Sequence, residues 1–236
     1  MNIIFSQPVS SPDYGPGLLL LLSGAVSVGN GTFAATRTHN MDEARKLNRE
    51  AIDLQSRGQL NDACELYRKA IALHPGGGAY HNNFAVLLKE MGEYEAAEKE
   101  ARQALALKPA RADYHFNLGL ILMKRDKNEE AETEFRAALK HNPDDIDSHF
   151  RLAEVLTARS LFQEAEKEIK LAILLRPNQA SYHALLGDIY YRLNDHQNSL
   201  YEYKRAVSLS ADIKRDGNLM ERLKYLEKVV DGRGRS

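Results

Sequence analysis

The sequence predicts an all-α fold, an α-solenoid of five tandem helix-turn-helix units closed by a C-terminal capping helix. Three observations carry this. The chain restates one pattern every 34 residues, as in GAYHNNFAVLLKE (78–90), ADYHFNLGLILMK (112–124) and IDSHFRLAEVLTA (146–158). Pro75, Pro109, Pro143 and Pro177 fall at the same interval. A proline inside a helix loses a hydrogen bond and clashes with the preceding turn, so each marks a helix end. Small residues recur at three fixed places: Ala51, Ala85, Gly119, Ala153 and Gly187; Ala63, Ala97, Ala131, Ala165 and Ser199; Ala70, Ala104, Ala138, Ala172 and Ala206. Two helices approach to the close end of the ~8–10 Å interaxial range only where contact residues are small.

Residues 1–43 form a leader outside this pattern. The stretch GPGLLLLLSGAVSVGNGTFAATR (15–37) has an apolar run, Leu18–Val28, of export-signal length, and no charge falls between Tyr14 and Thr36. Asp13 and the lack of any Lys or Arg before it depart from a secretory signal. Arg37, Arg45 and Lys46 follow it, which suits a cytoplasmic C-terminal side if it anchors. Export or a membrane anchor is expected over a cytoplasmic or disordered leader, with membrane contact confined to residues 15–36. A translation start at Met41 is a further reading.

The units occupy 44–77, 78–111, 112–145, 146–179 and 180–211. Within each, apolar residues recur at i, i+3, i+4 and i+7, the helical period. Large side chains fill the grooves beside the small ones: Leu54, Leu88, Leu122, Leu156 and Tyr190 in the first helices, and Tyr67, Ala101, Phe135, Ile169 and Tyr203 in the second. The break between the helices falls at Gly58, Gly92, Asp126, Ser160 and Asn194, all turn-forming residues. The three glycines of PGGGAY (75–80) predict a looser joint between the first two units. Residues 212–236 read as a cap and a loose tail, with Leu219, Leu223, Leu226 and Val230 on one apolar stripe and Arg222, Lys224, Glu227 and Lys228 elsewhere around the helix. A long coiled coil is excluded, because no heptad survives the prolines.

These residues resemble the tetratricopeptide repeat family, over about seven-tenths of the chain. The resemblance implies stacked helix pairs, each too small to bury its own apolar face, whose first helices line a concave groove for a protein or peptide partner. Carried over by position, that groove holds Asn48 in the first repeat, Asn82 and Lys89 in the second, and Phe116, Leu120 and Met123 in the third. The fourth repeat gives Phe150 and Glu154, and the fifth Asp188, Tyr191 and Arg192. Phe116, Leu120, Met123, Phe150 and Tyr191 are the expected apolar anchors for a peptide or helix. One subclass of the family clamps the acidic tails of heat-shock chaperones. Ile52, Asp113 and Asn117 stand where its Asn and cations would be, so that activity is not expected.

The 236 residues carry 32 Lys and Arg against 33 Asp and Glu, so bulk charge selects neither nucleic acid nor anionic lipid. The single Cys64 excludes an internal disulfide and is expected in the core. His81, His115, His149 and His183 recur at the fourth place of four units. Equivalent residues lie about two interaxial distances of ~8–10 Å apart along the stack. Ligation needs ~2.0–2.1 Å, so they cannot share one metal ion, and a packing role is expected. No phosphate-binding glycine loop, H-E-x-x-H, C-x-x-C or G-x-S-x-G is present. The expectation is a non-catalytic adaptor without cofactor or metal. The alternatives are an accessory subunit of a cell-envelope assembly or secretion complex, or a regulatory partner of an enzyme such as a glycosyltransferase.

Overall fold

The computed structural model describes residues 26–233. Five antiparallel helix pairs follow one another: α1 (Val26–Ser56) with α2 (Leu60–Leu73), α3 (Gly78–Glu90) with α4 (Tyr94–Leu107), α5 (Ala112–Lys124) with α6 (Asn128–His141), α7 (Ile146–Ala158) with α8 (Phe162–Leu175), and α9 (Ala180–Arg192) with α10 (His196–Leu209). A short 3-10 turn (Ala211–Arg215) leads to α11 (Gly217–Arg233). Each second helix also packs on the next first helix, so the pairs pile into a solenoid. No strand occurs among the described residues.

Each tight turn inside a pair is closed by one residue in the left-handed region: Gly58 (φ 77°), Gly92 (82°), Asp126 (57°), Ser160 (61°) and Asn194 (60°). This reversal lets the following N–H reach back five residues, as Gln59 does to Leu54 O (3.0 Å) and Leu161 to Leu156 O (2.8 Å). The first helix thus ends with its last carbonyls satisfied, and the chain is aimed back along it.

Every one of the recurrent small residues is buried. Between and beside them, Tyr67, Phe135, Ile169 and Tyr203 are fully enclosed, as are Leu122 and Leu156. Large apolar side chains of this kind contribute roughly 1.5–3 kcal/mol each on full burial, which is what makes neighbouring pairs hold one another. Cys64 is buried too, and burial pushes its thiol up.

One local expectation is corrected. The first helix already runs through Val26–Ser56, not from near Ala44, so residues 26–43, read above as leader, belong to the helix of the first pair. No helix among the described residues is long and apolar enough to cross a membrane. The apolar run Leu18–Val28, apart from its last three residues, lies outside the described residues, as does the tail 234–236. At the joint, two of the three PGGGAY glycines sit in close packing. A Cβ on Gly77 would lie 2.3 Å from the Tyr80 ring, and Gly78 is buried against the Ala104 carbonyl.

The array closes at α11, where Leu219, Leu223 and Leu226 are buried against Leu200 and Tyr203, with Val230 half-buried beside them. Arg222, off the apolar stripe, is nonetheless engaged by the array. It reaches Asp188, while its guanidinium carbon stands 5.3 Å from the centre of the Tyr191 ring. Helix α11 therefore takes the place that the first helix of a sixth pair would occupy.

Candidate functional site: the trough along the first helices

Helices α1, α3, α5 and α7 leave two sizeable cavities along one face. The larger, about 590 Å³, is bounded by Ile52, Gln55, Asn82, Val86, Glu90 and Asn117, among others. The second, about 460 Å³, is bounded by Lys89, Leu120, Met123, Lys124, Arg151 and Glu154. Helix α3 contributes to both: Val86 and Glu90 line the larger and Lys89 the second.

The asparagines are structural rungs. Asn83 Nδ2 donates to Asn48 Oδ1 (3.1 Å) and Asn117 Nδ2 donates to Asn82 Oδ1 (3.0 Å), tying first helices of successive repeats. Asn48 and Asn82 are themselves buried, so they shape the trough more than they offer free polar groups. The spacing of Asn48 and Asn83, and of Asn82 and Asn117, at 35 residues was the available signal for these rungs.

The apolar residues divide their surface between core and trough. Phe116 meets Phe135 edge-on (centroids 5.8 Å apart), and Phe150 lies 4.8 Å from Tyr182 with Arg151 above it. Leu120 and Met123 rest on the core and form the apolar floor of the second cavity. Lys89 is half-buried beside them. Its amine is held below the usual lysine range, first by burial and then by Arg151, with Lys124 adding to the effect. Glu154 accepts from Arg151 (2.8 Å).

The fifth repeat is not open in the same way. Asp188 accepts from Tyr203 (2.5 Å) and is paired with Arg222, and Tyr191 packs against Tyr225 and His196. The cap takes up both residues, which a repeat-by-repeat carry-over could not anticipate. Arg192 is exposed at the end of α9.

The histidine row is buried or nearly so, and its members do more than pack. In each, Nδ1 faces a glutamate of the paired second helix: Glu100, Glu134, Glu168 and Glu202, at 2.6–2.7 Å. Each Nε2 faces the carbonyl of the proline six residues earlier, at 2.9–3.0 Å. Among the described residues, no group of three or more His, Cys, Asp or Glu could hold a metal ion.

Three family models, each described as Tetratricopeptide repeat, match residues 82–134, 122–189 and 180–213, together more than half of the chain. No match is found among curated proteins by sequence. Several solved structures share the fold. YrrB, a TPR protein with an unusual peptide-binding site, superposes with a TM-score of 0.67 at 21% identity, over 82% of this chain and 97% of its own. MamA from Desulfovibrio magneticus gives 0.68 at 18% identity, over 75% and 98%. The pilF protein of Pseudomonas aeruginosa gives 0.64 at 19% identity, over 80% and 90%. At such identities the likeness is one of fold. With five stacked helix pairs, their recurrent small residues and these matches together, the chain belongs to the tetratricopeptide repeat family, whose fold is that of a protein-interaction scaffold.

Proposed function

We propose that the protein is a non-catalytic adaptor that receives a peptide or helix of a protein partner in the trough formed by the first helices of repeats one to four. The observation that carries this is the second cavity, where Leu120 and Met123 present apolar surface that stacking leaves uncovered. Open apolar surface in a concave, polar-rimmed site favours a partner's side chains over water. Phe116 and Phe150 extend that surface, while the cap removes Asp188 and Tyr191 from it. The peptide-binding relative YrrB supports the reading by analogy of fold.

The test is affinity capture from the native host followed by mass spectrometry, with Leu120→Glu/Met123→Glu beside the unaltered chain. The adaptor reading expects the partner set to disappear from the variant while its helix content is retained. Capture of the same proteins in the same yield would contradict it.

A second reading, an exported or membrane-anchored accessory subunit of an envelope assembly, is favoured by the uncharged stretch from Tyr14 to Thr36 followed by Arg37. Fractionation decides it: recovery with membranes or outside the cytoplasm is expected, and recovery wholly in the cytosol would contradict it.

A further inference from the structure

The second cavity gathers more positive than negative side chains. The contrast is with the inter-repeat contacts on the second helices, where Glu98 receives Arg125 and Lys127 as well as Arg102, and Glu132 receives Arg159 as well as Arg136. The acidic residues near Phe116 are likewise engaged. Asp113 is gripped by both ends of Arg111 (2.8 and 2.7 Å), and Asp145 caps α7 through the Ser148 N–H. In the cavity, three cations, Lys89, Lys124 and Arg151, surround one carboxylate, Glu154, and that carboxylate belongs to Arg151. Among the described residues neither lysine meets a carboxylate within ion-pair distance, although Glu90 acts on Lys89 from beyond that distance. Lys89 stands half-buried beside Leu120 and Met123, where a positive charge held by no close ion pair is costly.

We infer that this cavity recognises an acidic side chain flanked by a large apolar one, within a peptide segment that runs through the trough. The inference rests on the adaptor reading and deepens it. The carboxylate would sit between Lys89 and Lys124, and the apolar neighbour would lie on Leu120 and Met123. A through-running segment is favoured over a free chain end because another, larger cavity lies on the other side of α3 along the same face, where the peptide would continue. The lowered lysine agrees with this, since an arriving carboxylate would relieve the crowding by Arg151 and Lys124.

The test is a selection from random 12-residue peptides displayed without a free C-terminus, using the full chain as bait. Winners are resynthesised with amide-capped ends and titrated by fluorescence anisotropy. Winners should place Asp or Glu next to Leu, Ile, Phe or Met. Neutralising that acid, or substituting Lys89→Gln/Lys124→Gln in the protein, should each weaken binding by about tenfold or more, and the two losses should not add. Glu154→Gln, which releases Arg151 and keeps the fold's shape, should strengthen binding. Binders that are lost in Met123→Glu but show no preference for an acid would overturn this inference and leave the adaptor reading standing. Binders indifferent to Met123→Glu, or a selection that yields none, would overturn both.

Discussion

His81 is held at both ring nitrogens: Nδ1 lies 2.6 Å from a Glu100 carboxylate oxygen and Nε2 lies 3.0 Å from the Pro75 carbonyl. A carbonyl only accepts, so Nε2 carries a proton; an ionised carboxylate only accepts, so Nδ1 carries one as well. The arrangement therefore favours the histidinium. The hydrogen bond to Glu100 raises the pKa of His81 above its ordinary value against the opposing effect of burial, and Glu168 does the same for His149. A raised folded-state pKa stabilises the fold fully below the unfolded value near 6.5 and loses that contribution as pH rises through the folded value. The urea midpoint should accordingly fall from pH 6 towards pH 9. His81→Gln/His149→Gln should flatten that alkaline slope, and an unchanged slope would refute the assignment. His81→Ala, which strands Glu100 and the Pro75 carbonyl, should cost about 1–3 kcal/mol.

Acid acts through a different group. Burial pushes the Glu98 carboxyl up, but hydrogen bonds from Arg102, Lys127 and Arg125 outweigh it and hold the pKa below the usual value. A lowered folded-state pKa stabilises above the unfolded value of about 4.5 and loses that contribution as pH falls through the folded value. Glu98→Gln should destabilise by about 1–3 kcal/mol at pH 6, with the difference from the parent shrinking below pH 4.5. Denaturant titrations at pH 6 and pH 3.5 check both halves.

Gly119 and Phe135 were chosen together. A Cβ on Gly119 would lie 2.7 Å from the Phe135 ring, and that ring is fully buried with nowhere to move. Gly187 stands in the same relation to Tyr203 at 2.6 Å. Repeats with Ala101 or Ile169 at the corresponding place carry Ala85 or Ala153 instead, whereas the first repeat fits Ala51 with the buried Tyr67, so the match holds for two of the three aromatic repeats. Gly119→Ala gains about 1 kcal/mol of helix propensity, which the overpacking of about 1–3 kcal/mol should exceed. Adding Phe135→Leu should recover the loss, a coupling that a double-mutant cycle reads directly.

The pair Asp188–Arg222 makes the cap part of the array. Arg222→Ala removes the partner of a half-buried carboxylate and the cation above Tyr191, so a loss of about 1–2 kcal/mol is expected. The measurement is amide hydrogen exchange. Protection should fall first in α11 and then in α10, with α3 to α6 unchanged. Uniform loss along the chain would show that the cap is not a local closure.

Much of this was legible because each helix pair must satisfy the same packing problem. The left-handed turn residues and the buried small residues were readable one position at a time, since Gly58 or Ala63 states its role by its own chemistry. Partnerships were harder. Glu100, Glu134, Glu168 and Glu202 recur every 34 residues beside the histidine row, yet their meeting depends on how the two helices of a pair lie against each other. The loss of Asp188 and Tyr191 from the trough depends on where α11 docks, and its only sequence trace is the 34-residue step from Asp188 to Arg222. Lys89 and Lys124 were visible as charges, but not as neighbours around one cavity.

Excision of one whole period tests the stacked architecture most directly. Deleting residues 112–145 joins Arg111 to Ile146 in register. The account predicts a helical, cooperatively unfolding protein whose denaturant slope is lower by about one-fifth, because one of five pairs no longer contributes surface. A protein that loses cooperative unfolding or its helix content on that deletion would contradict it.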